Sequence, residues 1–527
     1  MTQKTKGKFM RARAVMSGCL ACLCLGLALV ISGCGSSGGS SGAAATSGSS
    51  EGGTGSLTSA TFGMPIKIQT LDPDLALETS NQALHFIGGT LFDYVEGKTV
   101  PDLAESAKVS KDELTWVIQL KPNLKFSDGT PLTAKDVAAT LERSRNDEAN
   151  INLFLVEPIS SVVAKGTSTL ELHLKRPYPD LEYIMSLPFL SIFPADRIEK
   201  ANFFQDPVSA GPYKLVSWGG GATAVFEANP NYVGSPASIP KLTLTTITDS
   251  NARLAQVKSG QLQLGYGLAP NQISQITAPA EKRIAKVYGL TMLSMQTKES
   301  PLDEQGVREA ISDAIDRQQL SEIVWSGEAE PLMQIWPASM TAHDPSISAE
   351  QDLAAAEKAL EGTKCAEGCT VQLTYSAEGY ANQEQEAPVI KSDLEAIGIQ
   401  VDLNNIDTAT YLERAFNSEF QMVLTYLFEL GDFPDSICPL ALGSILNTNY
   451  TMYSMPGGEK ACEKAIETTG SARVAAMREA SDELMKSVPW TPLTSYSLVS
   501  ASSVSESLVR VGSGTLIEVA HENGKVW

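Results

Sequence analysis

Residues Phe126–Val137 read FSDGTPLTAKDV and combine a turn signal with a helix start. Asp128 followed by Gly129 is typical of a tight turn, because the aspartate side chain bonds nearby backbone and glycine tolerates left-handed dihedrals. Thr133 is a residue type that caps helices, so we predict a helix that begins near Ala134. Both features are architectural, so we expect the stretch to shape the fold rather than to contact a ligand.

Periodic patterns on either side of this stretch indicate a mixed α/β chain. Thr115–Leu120 and Thr169–Leu174 alternate apolar and polar residues, which predicts two half-buried strands. From Val307 to Trp325 the apolar residues recur at helical spacing, which predicts one core-facing helix.

A strand, helix, strand unit is predicted further along the chain. A strand around Val371–Tyr375 precedes a helix over Ala387–Ile397, and the alternating residues Ile399, Val401 and Leu403 follow as a second strand. Such units build α/β lobes.

The amino terminus resembles an export signal. Five basic residues lie within the first 13 positions, and an uncharged, largely apolar run follows from Ala14 to Ile31. A permanent membrane span is the alternative, because about 18 apolar residues can cross a bilayer as a helix. Ile31-Ser32-Gly33-Cys34 resembles a bacterial lipobox and favours cleavage before Cys34. We therefore expect residues 1–33 to be a lipoprotein signal peptide and Cys34 to carry the lipid.

Residues 34–56 are predicted to be a tether. The 22 residues after Cys34 are almost wholly Gly, Ser, Ala and Thr, which cannot bury enough apolar surface to offset the entropy of ordering. A Gly/Ser coil of this length spans about 25 Å. The folded part is therefore expected to stay near the extracytoplasmic face of the cell membrane.

The charge balance excludes some partners. The chain has a net charge of −21, and loss of the basic residues in 1–33 leaves −26. So acidic a surface would repel nucleic acid and anionic lipid. It is compatible with neutral or cationic ligands, and equally with charge that only keeps an exported protein soluble.

Four cysteines remain beyond Cys34, namely Cys365, Cys369, Cys438 and Cys462. In an exported chain the local pairs Cys365 with Cys369 and Cys438 with Cys462 are the most economical disulfides, although four cysteines allow three pairings. Half a metal site is the alternative for the first pair. The chain's four histidines are scattered without ligand spacing, so we expect disulfides and no metal or cofactor.

The sequence lacks the catalytic motifs that would indicate an enzyme. The sequence shows no Gly-x-Ser-x-Gly elbow, no phosphate-cradling Gly-x-x-x-x-Gly-Lys and no His-Glu-x-x-His.

The roughly 470 residues after the tether are too many for one core, which indicates two or three lobes.

Phe126–Val137 resembles the signature F-x-D-G-T-P-L-T-A-x-D-V of the extracytoplasmic solute-binding proteins of family 5. These are the oligopeptide, dipeptide and nickel receptors of bacterial ABC importers. Gln263 and Gln296 depart from the family, which commonly has aspartate and asparagine there. Further segments resemble the family in the same order: Leu71–Pro73, Leu91–Tyr94, Pro101–Ser106, Gly211–Tyr213, Asn229–Tyr232 and Val307–Arg317.

The resemblance implies an α/β, periplasmic-binding-protein-like trap of type II, in which two hinged lobes close around a ligand. It also implies an extra inserted domain. The expected boundaries are 57–91, 190–288 and 490–527 for domain I, 92–189 for the inserted domain II, and 289–489 for domain III. Closure would present the docking surface to the permease of an ABC transporter, and we expect a monomer.

Residues Phe428–Asp435, FELGDFPD, resemble the segment that holds the ligand in peptide-binding members. On that resemblance Asp432 takes the α-ammonium group of a peptide, and Phe428, Glu429 and Leu430 supply backbone hydrogen bonds. Asp432 and Asp435 are alternatively turn formers around Pro434. Gln296 is expected to add a polar contact, or else to pack within its strand.

The sequence therefore predicts a membrane-anchored receptor that captures short oligopeptides or dipeptides and delivers them to an ABC importer. Two alternatives stay open. The same trap could hold a non-peptide solute such as chelated nickel, a sugar or an opine, or it could belong to an exported sensor or enzyme.

Overall fold

The structure, a computed structural model, describes residues 57–76, 79–95, 97–377, 382–429, 431–435, 437–438, 455–512 and 515–522. The predicted signal peptide, Cys34 and the rest of the tether lie outside the described residues, and so does Leu430. For Phe428 and Glu429 the description covers the backbone only. Leu57–Trp527 forms one compact unit.

Strands and helices are mixed along this unit, as the periodic patterns predict. The strands are β1 Ser59–Met64, β2 Phe92–Val95, β3 Lys98–Pro101, β4 Ala104–Val109, β5 Thr115–Leu120, β6 Ile159–Lys165, β7 Thr169–Leu174, β8 Tyr213–Ser217, β9 Thr223–Ala228, β10 Lys241–Thr246, β11 Leu264–Gly265, β12 Glu281–Met295, β13 Cys369–Tyr375, β14 Ile399–Asn405, β15 Met422–Glu429, β16 Trp490–Ser502, β17 Val509–Val511 and β18 Ile517–Val519. The helices are α1 Thr79–Ile87, α2 Ala134–Asn146, α3 Leu153–Val156, α4 Leu181–Ile184, α5 Ser250–Lys258, α6 Gln305–Ala314, α7 Arg317–Trp325, α8 Leu353–Leu360, α9 Gln383–Ala396, α10 Thr408–Asn417, α11 Pro456–Glu467 and α12 Gly470–Met485.

The largest described sheet is mixed and has ten strands, in the order β14-β13-β15-β12-β16-β11-β1-β10-β9-β8. One half of this sheet ends at β12 and the other half begins at β16. These two long antiparallel strands join the halves and pair from Glu281 opposite Ser502 to Ser294 opposite Trp490. The register shifts between Lys286 and Leu290, so the pairing is irregular where the two halves of the sheet meet. Such irregularities bend and twist a strand locally.

A separate four-stranded antiparallel sheet, β4-β5-β7-β6, lies within residues 92–189. The two predicted strands are confirmed, since β5 and β7 have the predicted bounds and pair with each other. Alternate side chains of β7 are buried, as the sequence pattern requires.

The FSDGTPLTAKDV stretch forms the predicted turn and helix start. Gly129 has φ +86°, and the Thr130 N–H donates to Asp128 Oδ1 at 2.9 Å. Helix α2 begins at Ala134 with Thr133 as its N-cap. Asp136 Oδ2 accepts from the backbone N–H and hydroxyl of Thr133, at 2.8 and 2.9 Å, so this carboxylate fixes the entry of the chain into the helix.

The prediction of one helix over Val307–Trp325 is wrong, because the chain breaks it into α6 and α7. Ile315 and Asp316 leave the helical conformation, with ψ values of 123° and 89°. The Asp316 carboxylate accepts from the Gln319 N–H at 2.8 Å and so starts a second helix. The buried Arg317 guanidinium donates to the Ser312 and Ile315 carbonyl oxygens, at 3.0 and 3.3 Å. These backbone carbonyls at the end of α6 would otherwise lack a helical partner.

The predicted strand, helix, strand unit is confirmed as β13, α9 and β14, with β13 and β14 parallel. Helix α9 begins at Gln383, four residues before its predicted start. The Gln383 side chain accepts from the Ser376 N–H at 2.9 Å and donates to the Leu424 carbonyl at 3.2 Å, which ties the first turn of the helix to the sheet. None of the described helices is both long enough and apolar enough to cross a membrane.

Candidate functional site

The carboxyl ends of three strands meet at one edge of the large sheet. β13 runs parallel to both β14 and β15, so Tyr375, Asn405 and Glu429 end their strands on the same side. β12 is antiparallel to β15 and places Tyr288 opposite Glu429. Open α/β sheets bind ligands outside the carboxyl ends of their strands, so the segment that leaves β15 lies where a ligand is expected.

Asp432 lies in this segment and is half-buried. Its Oδ1 accepts a hydrogen bond from the Thr341 backbone N–H at 3.0 Å. Burial raises the pKa of the Asp432 carboxyl above its usual range, against the opposing effects of the bond from Thr341 and the positive charge of Arg473. The protein groups around Asp432 therefore do not fully compensate the burial of its negative charge, and a cationic ligand group would stabilise the ionised carboxylate.

Aromatic rings surround the residue that follows Asp432. Phe433 stacks on Tyr183 with ring centroids 4.1 Å apart, and Tyr94 meets the same ring edge-on at 6.2 Å. The pKa of Tyr94 rises to about 12 through burial and the nearby Tyr288 and Asp432. Tyr94 therefore lies near both Tyr288 and the Asp432 carboxylate. The two tyrosines come from β2 and β12, which are far from Asp432 in sequence.

This arrangement suits a primary ammonium group. A carboxylate offers a charged acceptor, and aromatic faces and phenol oxygens attract a cation while keeping water away. A charge-assisted hydrogen bond contributes about 1.5–3 kcal/mol net.

The backbone of Phe428 and Glu429 forms the end of β15. On one side it pairs with β12, with Gly289 opposite Phe428. On the other side the ladder to β13 covers only Leu373 with Met422 and Thr374 with Val423. Beyond Leu424, whose carbonyl accepts from the Gln383 side chain, no described strand pairs with this side of β15, so an extended ligand could be added there as a strand.

Gln296 lies away from this edge. It follows the far end of β12, eight residues from Tyr288, which corresponds to roughly 26 Å along a strand. The side chain is buried, donates to the Ser418 carbonyl at 3.1 Å and accepts from the Lys298 N–H at 3.3 Å. The structure does not bring Gln296 together with Asp432, and these bonds favour the packing role.

The cysteines are paired as Cys365 with Cys369 and Cys438 with Cys462. Cys438 follows Asp432 by six residues, and Cys462 lies in α11. The second disulfide therefore ties the end of the Asp432 segment to a helix.

A separate small cavity of about 30 Å³ lies beneath β2, on the side opposite to Tyr94. Its lining includes His85, Asp93, Asp102 and Tyr232. Burial raises the pKa of Asp93 to about 6, and burial together with Asp93 raises that of Asp102 to about 7. Tyr232 donates its hydroxyl to Asp102 at 2.9 Å. In the part of the chain that the structure describes, no group of three or more His, Cys, Asp or Glu side chains is arranged to hold a metal ion.

Comparison with known families decides the class of protein. Residues 98–444 match the bacterial extracellular solute-binding proteins, family 5, middle region. The chain belongs to family 5. The resemblance carried by FSDGTPLTAKDV is thereby confirmed. Family 5 proteins are the extracytoplasmic solute-binding components of ABC transporters.

Relatives and solved structures of family 5 extend over most of the chain. Protein XP55 of Streptomyces lividans is 27% identical over 467 residues, covering 84% of each protein. The glutathione-binding protein GsiB of Salmonella typhi is 26% identical over 455 residues, covering 82% of this chain and 88% of GsiB. Family 5 relatives of this kind bind solutes for transport and are not enzymes.

The fold prediction is also confirmed. The periplasmic binding protein DppA of Helicobacter pylori, in complex with the peptide STSA, superposes with a TM-score of 0.78 at 22% identity over 89% of this chain and 98% of DppA. NikA of Staphylococcus aureus, in complex with Ni(L-His)2, gives 0.75 at 20% identity over 87% and 97%. At these identities the likeness establishes the two-lobed binding-protein fold.

Proposed function

We propose that this family 5 protein captures short oligopeptides or dipeptides in the cleft between domains I and III and delivers them to an ABC importer. The observation that carries the proposal is the position of Asp432. It is a half-buried carboxylate near Tyr94, three residues after the end of β15, whose side away from β12 pairs with no described strand beyond Leu424.

The proposal has two kinds of contact. Asp432 takes the α-ammonium group, while the backbone of Phe428, Glu429 and Leu430 pairs with the peptide as an added strand. Strand addition reads the peptide backbone, so it tolerates many side chains. A buried carboxylate rejects ligands without the amine, because binding such a ligand would leave the carboxylate unpaired.

The domain boundaries and the anchor belong to the same proposal. We place domain I at 57–91, 190–288 and 490–527, domain II at 92–189 and domain III at 289–489. The lipid on Cys34 and the Gly/Ser tether would hold a monomer near its permease. Acyl chains contribute about 0.8 kcal/mol per buried methylene to such anchoring.

A non-peptide solute is the second candidate. The likeness to GsiB, which is named for glutathione, and to NikA in complex with Ni(L-His)2 supports it. Glutathione carries a free α-ammonium group, so Asp432 alone would not separate it from peptides.

Identification of the natural cargo tests the proposal. Residues 57–527 would be purified from the host cell under mild conditions and denatured, and the released small molecules would be identified by mass spectrometry. A ladder of short peptides is the expected result. A single non-peptide species, or an empty protein whose melting temperature does not rise with peptide pools, would overturn the proposed substrate.

A further inference from the structure

A buried ion pair joins two distant parts of the chain near the candidate site. Arg473, in α12, places Nη1 and Nη2 at 2.9 and 2.7 Å from the two carboxylate oxygens of Asp180. Asp180 precedes α4, in the part of the chain that carries the four-stranded sheet. The exposed fractions of the two side chains are only 10% and 6%.

Arg473 also contacts the ligand segment itself. Its guanidinium lies over the Phe433 ring, 5.8 Å from the ring centroid, and Nε donates to the Thr468 carbonyl at 2.7 Å. Phe433 in turn stacks on Tyr183, three residues after Asp180. One arginine thus touches both the residue next to Asp432 and the element that carries Tyr183.

The charges around this junction have complementary positions. The Thr341 N–H donates to Asp432, Tyr94 lies near it, and the positive charge of Arg473 lowers its pKa. Asp180 is paired with Arg473 and also interacts with Asp435. Arg473 is therefore a cation that acts on both Asp432 and Asp180.

We propose that Arg473 is a positioning residue, which fixes Phe433 and the adjacent Asp432 carboxylate and ties both to Asp180. The proposal rests on the function proposed above, in which Asp432 contacts the ligand. Ligand binding and docking of the Asp180 element then support each other, because an energetic coupling between two sites acts in both directions.

Two measurements on the Arg473→Gln variant test this role. In the ligand-free protein, hydrogen exchange at residues 431–435 should rise well above wild type, since Phe433 loses its support. Affinity for a free-amine dipeptide pool should fall by at least about tenfold at pH 7, because truncating a buried charge leaves its partner unpaired. The acid limb of the binding profile should move to higher pH.

Variants on both sides of the ion pair add a readout that mere destabilisation would not give. Arg473→Lys keeps the charge without the two-pronged geometry, so it should restore the pH profile but only part of the affinity. Asp180→Asn should also weaken dipeptide binding, because it leaves Arg473 without its carboxylate partner.

Arg283→Gln is the matched control. Arg283 is also buried and bonds a carboxylate and a backbone carbonyl, but at the start of β12. Wild-type exchange at 431–435 in Arg473→Gln, or the same affinity loss in Arg283→Gln, would overturn the positioning role. If wild-type protein binds no free-amine ligand, the proposed function fails, and the exchange measurement alone then decides whether Arg473 positions the segment.

Discussion

At the residue scale, Asp432 shows how the site is prepared for a cation. Burial raises the pKa of this carboxyl, while the Thr341 N–H and Arg473 favour its ionised form. A ligand ammonium adds a positive charge in direct contact, which favours the ionised form further. Binding therefore requires an ionised Asp432, and affinity should be lost as pH falls through the pKa of the free carboxyl.

Asp102 allows a prediction about stability. Its pKa is raised to about 7 in the folded protein, so the folded state binds more protons than the unfolded chain between about pH 4 and 7. Stability is therefore lost as pH rises through this window. Asp102→Asn should raise the free energy of unfolding at pH 8 by about 1–3 kcal/mol and change it little near pH 4. Denaturant unfolding at both pH values checks this.

The exposed Asp402, on β14, provides the control for that measurement. Asp402→Asn changes an exposed side chain and should alter the free energy of unfolding at pH 8 by less than about 0.5 kcal/mol. If Asp102→Asn is less stable than wild type at pH 8, Asp102 is ionised there and stabilised by its partners, which contradicts the assignment.

Single residues of the site differ in how well sequence predicts them. Asp432 could be named because its segment resembles a ligand-binding one. Tyr94 and Arg473 could not, because they come near Asp432 only through the docking of distant elements. For Gln296 the sequence leaves open a ligand contact or packing within its strand, and local patterns could not choose because the choice depends on which end of β12 lies near Asp432.

At the element scale, the break between α6 and α7 shows the limit of periodicity. Apolar residues recur at helical spacing on both sides of Asp316, so the pattern predicts one helix. Capping by Asp316 and the hydrogen bonds from Arg317 to backbone carbonyls favour two helices instead. The strands β5 and β7 and the start of α2 could be predicted because alternation and capping are local signals. Helix bounds that depend on tertiary bonds, such as the Gln383 start of α9, could not.

The cap yields a direct test. Asp316→Ala removes the acceptor for the Gln319 N–H and should reduce the free energy of unfolding by about 1 kcal/mol. Gln319→Ala keeps that N–H and changes an exposed side chain, so it should cost less than about 0.5 kcal/mol. Equal costs for the two variants in denaturant melts would show that the cap does not stabilise α7.

The two disulfides predict different losses. By loop-closure entropy, replacing Cys438 and Cys462 by serine should cost about 3.5 kcal/mol, and replacing Cys365 and Cys369 about 2 kcal/mol. Cys438 lies six residues after Asp432, so loss of the Cys438–Cys462 disulfide should weaken ligand binding. Loss of the Cys365–Cys369 disulfide should not. Unfolding and titration of both double variants compare them. A larger binding defect in the Cys365 and Cys369 variant would contradict this account.

At the scale of the whole molecule, β12 and β16 are the strands that join the two halves of the large sheet. Their register shift between Lys286 and Leu290 is the place where the pairing is least regular. A change in the angle between the halves is expected to concentrate there, because fewer ladder bonds resist it. Topology of this kind could be predicted only from the family resemblance, since local patterns do not specify strand order.

Closure gives a prediction for the whole protein. A bound ligand contacts both sides of the cleft, so it favours the closed form and shifts the population toward it. Small-angle X-ray scattering of residues 57–527 should show a smaller radius of gyration with saturating ligand than without it. An unchanged radius would mean either that the free protein is already closed or that binding does not involve closure, and neither agrees with a hinged trap.

The most direct test of the account is an amine-specific titration of Asp432. Isothermal titration calorimetry would compare the affinities of a free-amine peptide pool and of its N-acetylated form. The titrations would use wild type, Asp432→Asn and the control Asp402→Asn. Wild type and the control should prefer the free amine by at least about tenfold, which corresponds to about 1.4 kcal/mol. The folded Asp432→Asn protein should lose most of that preference. A folded Asp432→Asn variant that discriminates as wild type does would contradict the central claim that this carboxylate recognises the ligand's ammonium group.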